Sequence, residues 1–284
     1  MKDLLERMRC PSCGHGELAQ GSDAAECPGC GTRLPINGNT VSGTVGKLLS
    51  DEWEEMQAAS VERYKDEHYE EDETIAKIFG GFIAVSLKPD DRIFDVGCGL
   101  FPSMPAYARD LAHGGYVGLE PLETPVERDY LCLTGAVAEK LPLKDGSFDA
   151  VVLATSLDHI EHVDQAMAEL KRILAPGGRL YFWVGLNEPE AMARAKNFHS
   201  IFFVTKGAKR ALRIAAAPAE YAYFIWRMRK RRRDLARGVS LDHAHFRYYT
   251  RESLLKEMAE NELEVRRELL VPGNNSMLIE AVPA

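Results

Sequence analysis

DRIFDVGCG, residues 91–99, decides the reading of this chain. Ile93 to Val96 is a short apolar run of the kind that fills a buried parallel strand. It breaks at once into Gly97 and Gly99, which let the backbone bend sharply and approach a ligand closely. A helix read over about Ser103 to Leu111 would aim its N-terminal N–H groups at whatever binds there. Alone, such a turn also fits a dinucleotide site or a plain strand-to-helix junction, so its neighbours carry the decision.

Downstream the pattern repeats. Tyr116 to Leu119 reads as a second strand ending at Glu120, where a carboxylate can accept hydrogen bonds from both ribose hydroxyls of a nucleoside. Leu131 to Leu133 is a weaker third strand, and FDAVVLAT (148–155) a fourth with an unbroken apolar run. VDQAMAELKRILAPGG (163–178) places Met167, Leu170, Ile173 and Leu174 on one helical face before Pro176 and two glycines stop it, and RLYFWV (179–184) is a fifth strand. RESLLKEMAENE (251–262), with Thr250 as N-cap, reads as a last helix, followed by a hairpin from ELEVRRELLV and SMLIEAV around PGNN. Strands alternating with helices imply an α/β fold, a mostly parallel sheet with helices on both faces.

The order, spacing and wording of these motifs, over roughly 75–190 and again 245–284, resemble the class I, Rossmann-like S-adenosylmethionine-dependent methyltransferases of the small-molecule type. The resemblance implies a seven-stranded sheet with one antiparallel strand inserted by the last hairpin, and S-adenosyl-L-methionine across the C-terminal strand ends. Carried onto this chain, it implies that Asp95, Gly97, Cys98 and Gly99 hold the amino acid part of the cofactor and Glu120 its ribose. Ala138 and Glu139 would meet the adenine, and Thr155 and Ser156 would border the sulfonium. Three departures stand out. Leu100-Phe101-Pro102 replaces the usual third glycine, Val137 stands where an acidic residue is usual, and the segment between Glu120 and Gly135 is short for a helix.

Methyl transfer needs mainly an acceptor aligned with the methyl carbon, and a base only where the acceptor must lose a proton. SLDHIEH (156–162) supplies Asp158, His159, Glu161 and His162, and DHAHFRYY (242–249) supplies Asp242, His243 and His245. His159, directly after the fourth strand, is the leading base candidate and His245 the second. A pocket imidazole that only shapes the site is the competing reading.

At the N-terminus, Cys10-x2-Cys13 and Cys27-x2-Cys30 have the spacing that grips one tetrahedral Zn2+ with four thiolates, which closes the coordination sphere and makes the metal structural. Cys98 and Cys132 are left as ordinary buried thiols. The domain reading is a zinc ribbon over 1–46, linking helices over 47–80, and the methyltransferase domain over 81–284 with a basic, aromatic insert at about 186–245. The linking helices are read from apolar Leu48, Trp53, Met56, Val61 and Tyr64 at helical spacing in an acidic stretch. Within the insert, residues 194–237 carry thirteen Lys and Arg against two acidic residues, in a chain whose net charge is -8. Tyr221, Tyr223, Phe224, Ile225 and Trp226 directly precede the run Arg229 to Arg233. This composition fits a lid over the acceptor, a contact with an anionic membrane through 208–237, or a nucleic-acid contact.

A net charge of -8 argues against a surface that coats nucleic acid throughout. Neither a secretory signal nor an 18-residue apolar run is present, so the expected location is cytoplasmic, with the inner membrane surface as the alternative. The functional reading is a methyltransferase acting on a small-molecule or lipid- or glycan-linked acceptor. The alternatives are an RNA methyltransferase using ribbon and insert, for which the usual histidine ligand of such ribbons is missing, and a non-catalytic cofactor-binding scaffold.

Overall fold

The computed structural model describes residues 1–43, 49–66, 73–111, 115–123, 126–187, 207–236, 245–271 and 275–284. Leu48, Asp242 and His243 of the reading above lie outside them. The chain opens with α1 (Lys2–Arg7), then four short strands, β1 (Ala19–Gln20), β2 (Ala24–Glu26), β3 (Arg33–Asn37) and β4 (Thr40–Ser42). Helices α2 (Asp51–Asp66) and α3 (Glu73–Ala84) follow. The core then runs β5 (Ile93–Val96), β6 (Tyr116–Glu120), β7 (Leu131–Thr134), β8 (Phe148–Ala154), α4 (Val163–Ile173) and β9 (Leu174–Gly185). A long helix α5 (Gly207–Ala236), then α6 (Arg251–Glu260), β10 (Leu263–Leu270) and β11 (Ser276–Pro283), complete it.

The sheet order β7-β6-β5-β8-β9-β11-β10 contains the seven expected strands, with β11 antiparallel between β9 and β10. Four further strands extend it. β4 lies parallel to β7, pairing Thr40, Val41 and Ser42 with Cys132, Leu133 and Thr134, and β3, β2 and β1 follow as an antiparallel meander. The cysteine-bearing N-terminus therefore shares one eleven-stranded sheet with the core.

Both faces of the sheet are covered. On one, α4 buries Val163, Ala166, Met167, Leu170 and Ile173 beside Leu4, Leu5 and Met8 of the N-terminal segment and Leu254 and Met258 of α6. Fully burying one such large side chain contributes about 1.5–3 kcal/mol, so the stripe alone holds α4 down. On the other, α3 places Ile75, Phe79 and Ile83 against Tyr116, Val152 and Tyr181. α6 starts on the predicted cap: Thr250 accepts from the Ser253 N–H while the Ser253 hydroxyl answers the Thr250 N–H.

One element differs from the sequence reading. No regular helix forms over 103–111; the chain makes successive turns closed by Ala108 N–H to Pro105 O (2.9 Å) and Leu111 N–H to Ala108 O (3.0 Å). Pro102 and Pro105 remove two donors where a helix would begin, and the bonds that remain are of the tighter i to i+3 kind.

Glu280 on β11, 1% exposed, shows how α3 is tied to the sheet. Its carboxylate pairs with Arg179 and Arg267 and accepts from the Ser86 hydroxyl, which also meets the Tyr181 hydroxyl at 3.0 Å, while Arg267 donates to Phe82 O at 2.8 Å. The two guanidinium groups and the serine hold this carboxyl below its ordinary range despite burial. Glu280→Ala leaves two cations facing each other without their counter-ion and is expected to lower the unfolding free energy by about 3–5 kcal/mol, measured by urea denaturation.

Candidate functional site

The parallel strands β5, β6 and β8 end side by side, and an open cleft lies across their carboxyl ends. Its walls come from Gly97, Gly99 and Leu100 after β5, Glu120 to Leu122 after β6, Val137 to Glu139 after β7, and Ala154 to Ser156 with His159 and Ile160 after β8. This is where open α/β sheets bind ligands.

Gly97 and Gly99 have φ of +75° and +80°, which L side chains rarely adopt. Gly97 is constrained twice, since a Cβ there would stand 2.7 Å from the Ser156 Cβ. Ser156 in turn donates its hydroxyl to Val96 O at 2.6 Å, stitching the β8 exit to the β5 exit. Thr155, a β-branched residue, sits at φ +55° with its N–H on Trp183 O at 2.8 Å. A left-handed conformation there costs on the order of 1–3 kcal/mol and persists only where surrounding structure imposes it, a pattern typical of functional sites.

Of the residues expected to hold a cofactor, Gly97, Gly99, Glu120, Ala138, Glu139, Thr155 and Ser156 line this one cleft. Asp95 and Cys98 do not. Asp95 is fully buried and its Oδ2 accepts from the Tyr107 and Tyr116 hydroxyls. Cys98 packs under the turn with its Sγ 3.9 Å from that of Cys132. Both serve the turn from below: alternation along β5 puts Asp95 on the same side as Ile93, facing the α3 layer, and the glycine turn after the strand brings Cys98 to that side as well. Glu139 accepts from the N–H groups of Glu161 (3.1 Å) and His162 (3.2 Å), next to the start of α4.

Three contributors escaped the sequence reading. Trp53 and Gln57 of α2 reach the cleft wall, so the acidic helix lies against the site. Trp53 did stand out as an apolar position at helical spacing, but periodicity says which face is buried, not against what. Arg128 is 3% exposed and donates from one guanidinium nitrogen to Gly99 O and Phe101 O, both at 2.9 Å, and to the Tyr130 hydroxyl at 2.6 Å. It fixes the loop in which Leu100-Phe101-Pro102 replaces a third glycine.

At the mouth, His159 and His245 stand with ring centroids 4.6 Å apart. His245 arrives from a distant segment that is bolted to the turn after β8: Phe246 N–H to Asp158 O (2.9 Å), and Arg247 to Ile160 O (2.6 Å) and Glu161 O (3.1 Å). Both candidate histidines are thus brought together, and His159 lines the cleft.

At the other end, the four cysteines converge. Cys10 and Cys30 sulfurs are 3.6 Å apart, as are those of Cys13 and Cys27, and all four fall within 4.8 Å of one another. The two hairpins repeat one geometry: Gly14 N–H to Cys10 O and Gly31 N–H to Cys27 O, each 2.8 Å, with φ of +75° and +74° at the glycines.

The family model described as a methyltransferase domain matches residues 94–182, the stretch that contributes most of the cleft. Together with the strand order, this match gives the core a Rossmann-like methyltransferase fold. Among similar proteins, the ubiquinone/menaquinone biosynthesis C-methyltransferase of Bordetella avium is 28% identical over 176 residues, 57% of this chain and 68% of that protein. The demethylmenaquinone methyltransferase of Streptomyces avermitilis is 36% identical over 103 residues, 34% of this chain and 43% of its own length. In fold, the chain resembles the Burkholderia thailandensis 1,6-didemethyltoxoflavin-N1-methyltransferase, solved with 1,6-didemethyltoxoflavin and S-adenosylhomocysteine, with a TM-score of 0.52 at 13% identity over 92% of this chain and 96% of the other.

Glu120 is the electrostatic centre of the cleft. It is 6% exposed, its Oε1 accepts the Leu122 N–H at 3.1 Å, and burial pushes its carboxyl up to about 7. A carboxyl that holds its proton more tightly folded than unfolded lowers stability as pH rises from about 4.5 to 7, because ionisation is easier in the unfolded chain. Glu120→Gln is therefore expected to stabilise the ligand-free protein by up to about 3 kcal/mol above pH 7 and to make no difference near pH 4.5, read as the pH dependence of thermal unfolding.

Proposed function

We propose that this chain methylates a small-molecule acceptor, with S-adenosyl-L-methionine held by the residues of the cleft. What carries the reading is the convergence, in one cleft, of the strained glycine turn, the under-solvated Glu120 carboxylate and the Thr155–Ser156 exit of β8. The residues present fit such a cofactor. Gly97 and Gly99 leave room for its amino acid part at backbone distance, with Asp95 and Cys98 bracing the turn from below. Glu120 is a buried acceptor suited to two ribose hydroxyls. Ala138 and Glu139 border the adenine end, Thr155 and Ser156 the sulfur. When bound, the cofactor supplies an activated methyl group on a sulfonium.

The chain's own contribution is placement. Trp53 and Gln57 wall the cleft on the side of α2, and His159 with His245 presents imidazole nitrogens at the mouth, where an acceptor would lie. These two histidines activate and orient the acceptor. The relatives' names point to planar, ring-bearing acceptors of the quinone or fused-heterocycle kind, a class consistent with the apolar Trp53, Leu100 and Ile160 around the opening. A membrane-dissolved acceptor agrees with α5, whose Tyr223 and Trp226 are stacked at 6.0 Å and exposed ahead of exposed Arg229, Lys230 and Arg233. No helix among the described residues is long and apolar enough to cross a membrane.

Calorimetric titration with S-adenosylhomocysteine tests the cofactor assignment. One equivalent should bind to the wild type, and Glu120→Ala should weaken it by about 10- to 100-fold, the worth of hydrogen bonds to a charged group. Absence of binding at millimolar ligand would sink the proposal.

The four-cysteine cluster fits a structural Zn2+. Bonds of about 2.3 Å to a tetrahedral ion put the sulfurs about 3.8 Å apart, close to the 3.6 Å between each facing pair. Removal of the metal with a strong chelator should release about one zinc per chain and lower the melting temperature of the whole protein, since β3 and β4 continue the core sheet. Metal analysis together with calorimetry checks both outcomes.

A further inference from the structure

Asp158, His159 and His245 form a cluster that the proposed function uses only as two imidazoles. The Nε2 atoms of His159 and His245 lie 4.0 and 3.7 Å from the two oxygens of the Asp158 carboxylate, one against each. The three donor atoms fall within 4.8 Å of one another. These separations exceed the reach of a hydrogen bond. The two His–Asp distances exceed by about 0.3–0.6 Å the edge of about 3.4 Å that a tetrahedral cation with bonds of about 2.1 Å imposes on its ligands, so side-chain rotation must draw the three donors closer for a cation to seat.

The scaffold under the cluster is fixed by backbone. His159 N–H donates to Ser156 O at 3.1 Å, Phe246 N–H to Asp158 O at 2.9 Å, and Asn187 N–H to Tyr249 O at 2.6 Å, so ligands from segments far apart in sequence are held in register. Two imidazoles with ring centroids 4.6 Å apart and one carboxylate supply the nitrogen and oxygen donor types that first-row divalent cations take. The three side chains are 21–29% exposed, and His159 opens onto the cleft.

We propose that Asp158, His159 and His245 bind a first-row divalent cation at the mouth of the cleft. Three protein ligands leave coordination positions open, unlike the closed four-cysteine cluster, and mark a site that takes a further ligand. On the methyltransferase reading, on which this last step rests, that ligand is an acceptor with two neighbouring oxygens, such as a catechol or an enediol. The cation site itself stands on the geometry of the cluster.

The test uses the full chain carrying one equivalent of Zn2+ and then desalted. Titration with Co2+, followed by calorimetry and visible absorption, should show one further equivalent bound without thiolate-to-metal absorption. Its dissociation constant should rise about tenfold or more in Asp158→Asn and in His245→Ala, while both variants bind S-adenosylhomocysteine as the wild type does. No cobalt uptake beyond the ribbon, or uptake unchanged in both variants, overturns the site. Loss of S-adenosylhomocysteine binding in the wild type overturns the cofactor reading instead and leaves the cobalt titration to decide the cation site alone.

Discussion

The contact between the exits of β5 and β8 is the constraint on which the rest of the site depends. Ser156 donates to Val96 O at 2.6 Å, and its Cβ occupies the space that any side chain at position 97 would need. That contact dictates glycine at 97, goes with Thr155 at φ +55° at the strand end, and leaves the backbone of the Gly97–Gly99 turn on the cleft wall. A crevice opens outside the carboxyl ends of parallel strands where the strand order reverses, and here it reverses between β5 and β8. What this chain adds is closure from underneath: Asp95 between two tyrosine hydroxyls, and Arg128 under the carbonyls of Gly99 and Phe101. A buried guanidinium is expensive to keep unless its donors are satisfied; here three acceptors meet Nη1, while the buried Nη2 has no hydrogen-bond partner among the described residues.

The N-terminal segment is tied to the same cleft by a second route. Arg9 N–H donates to Pro142 O at 3.0 Å and Lys144 N–H to Arg7 O at 2.8 Å, so the chain entering the cysteine hairpins runs along the stretch that follows Ala138 and Glu139. From the other side, Glu169 of α4 accepts the Leu141 N–H at 2.8 Å while Arg172 donates to Leu141 O and Leu143 O. Residues 139–144 are thus held between α4 and the N-terminal segment. Since β4 also pairs with β7, the strand from which this stretch departs, a metal held by the four cysteines would act on the wall of the cleft through backbone bonds, with no cysteine-hairpin residue needing to touch a ligand.

Much of this was legible in the sequence, and for physical reasons. Buried parallel strands show as unbroken apolar runs, α4 shows as a stripe at 3.6-residue spacing, and a glycine turn followed some twenty residues later by Glu120 has few other uses. The cysteine pairs declare their convergence because two C-x2-C hairpins cannot build a core from their side chains. What stayed hidden depends on tertiary partners. Local patterning over 103–111 read as helix, yet Pro102 and Pro105 left successive turns. The sharing of one sheet by β4 and β7 could not be read, because Thr40 to Ser42 is three residues long and carries no alternation to reveal its partner. Trp53 and Gln57 on the cleft, and Arg128 beneath it, are matters of where α2 and the β6–β7 connection come to rest, which spacing does not encode.

The buried carboxylates separate structure from function by how well each is satisfied. Glu280, 1% exposed, has two arginines and a serine hydroxyl around it and is held below the ordinary carboxyl range; its surroundings were completed by the fold. Glu120 is buried almost as deeply, yet desolvation outweighs the Leu122 N–H and the Arg128 charge and raises it to about 7. A chain that fully pairs one buried acid and leaves another under-solvated at a cleft wall has not failed to pack the second. Hydrogen-bond donors brought by a ligand would lower the energy of the Glu120 anion where the protein alone does not, so ionisation of this carboxyl and occupation of the cleft are coupled by the same desolvation.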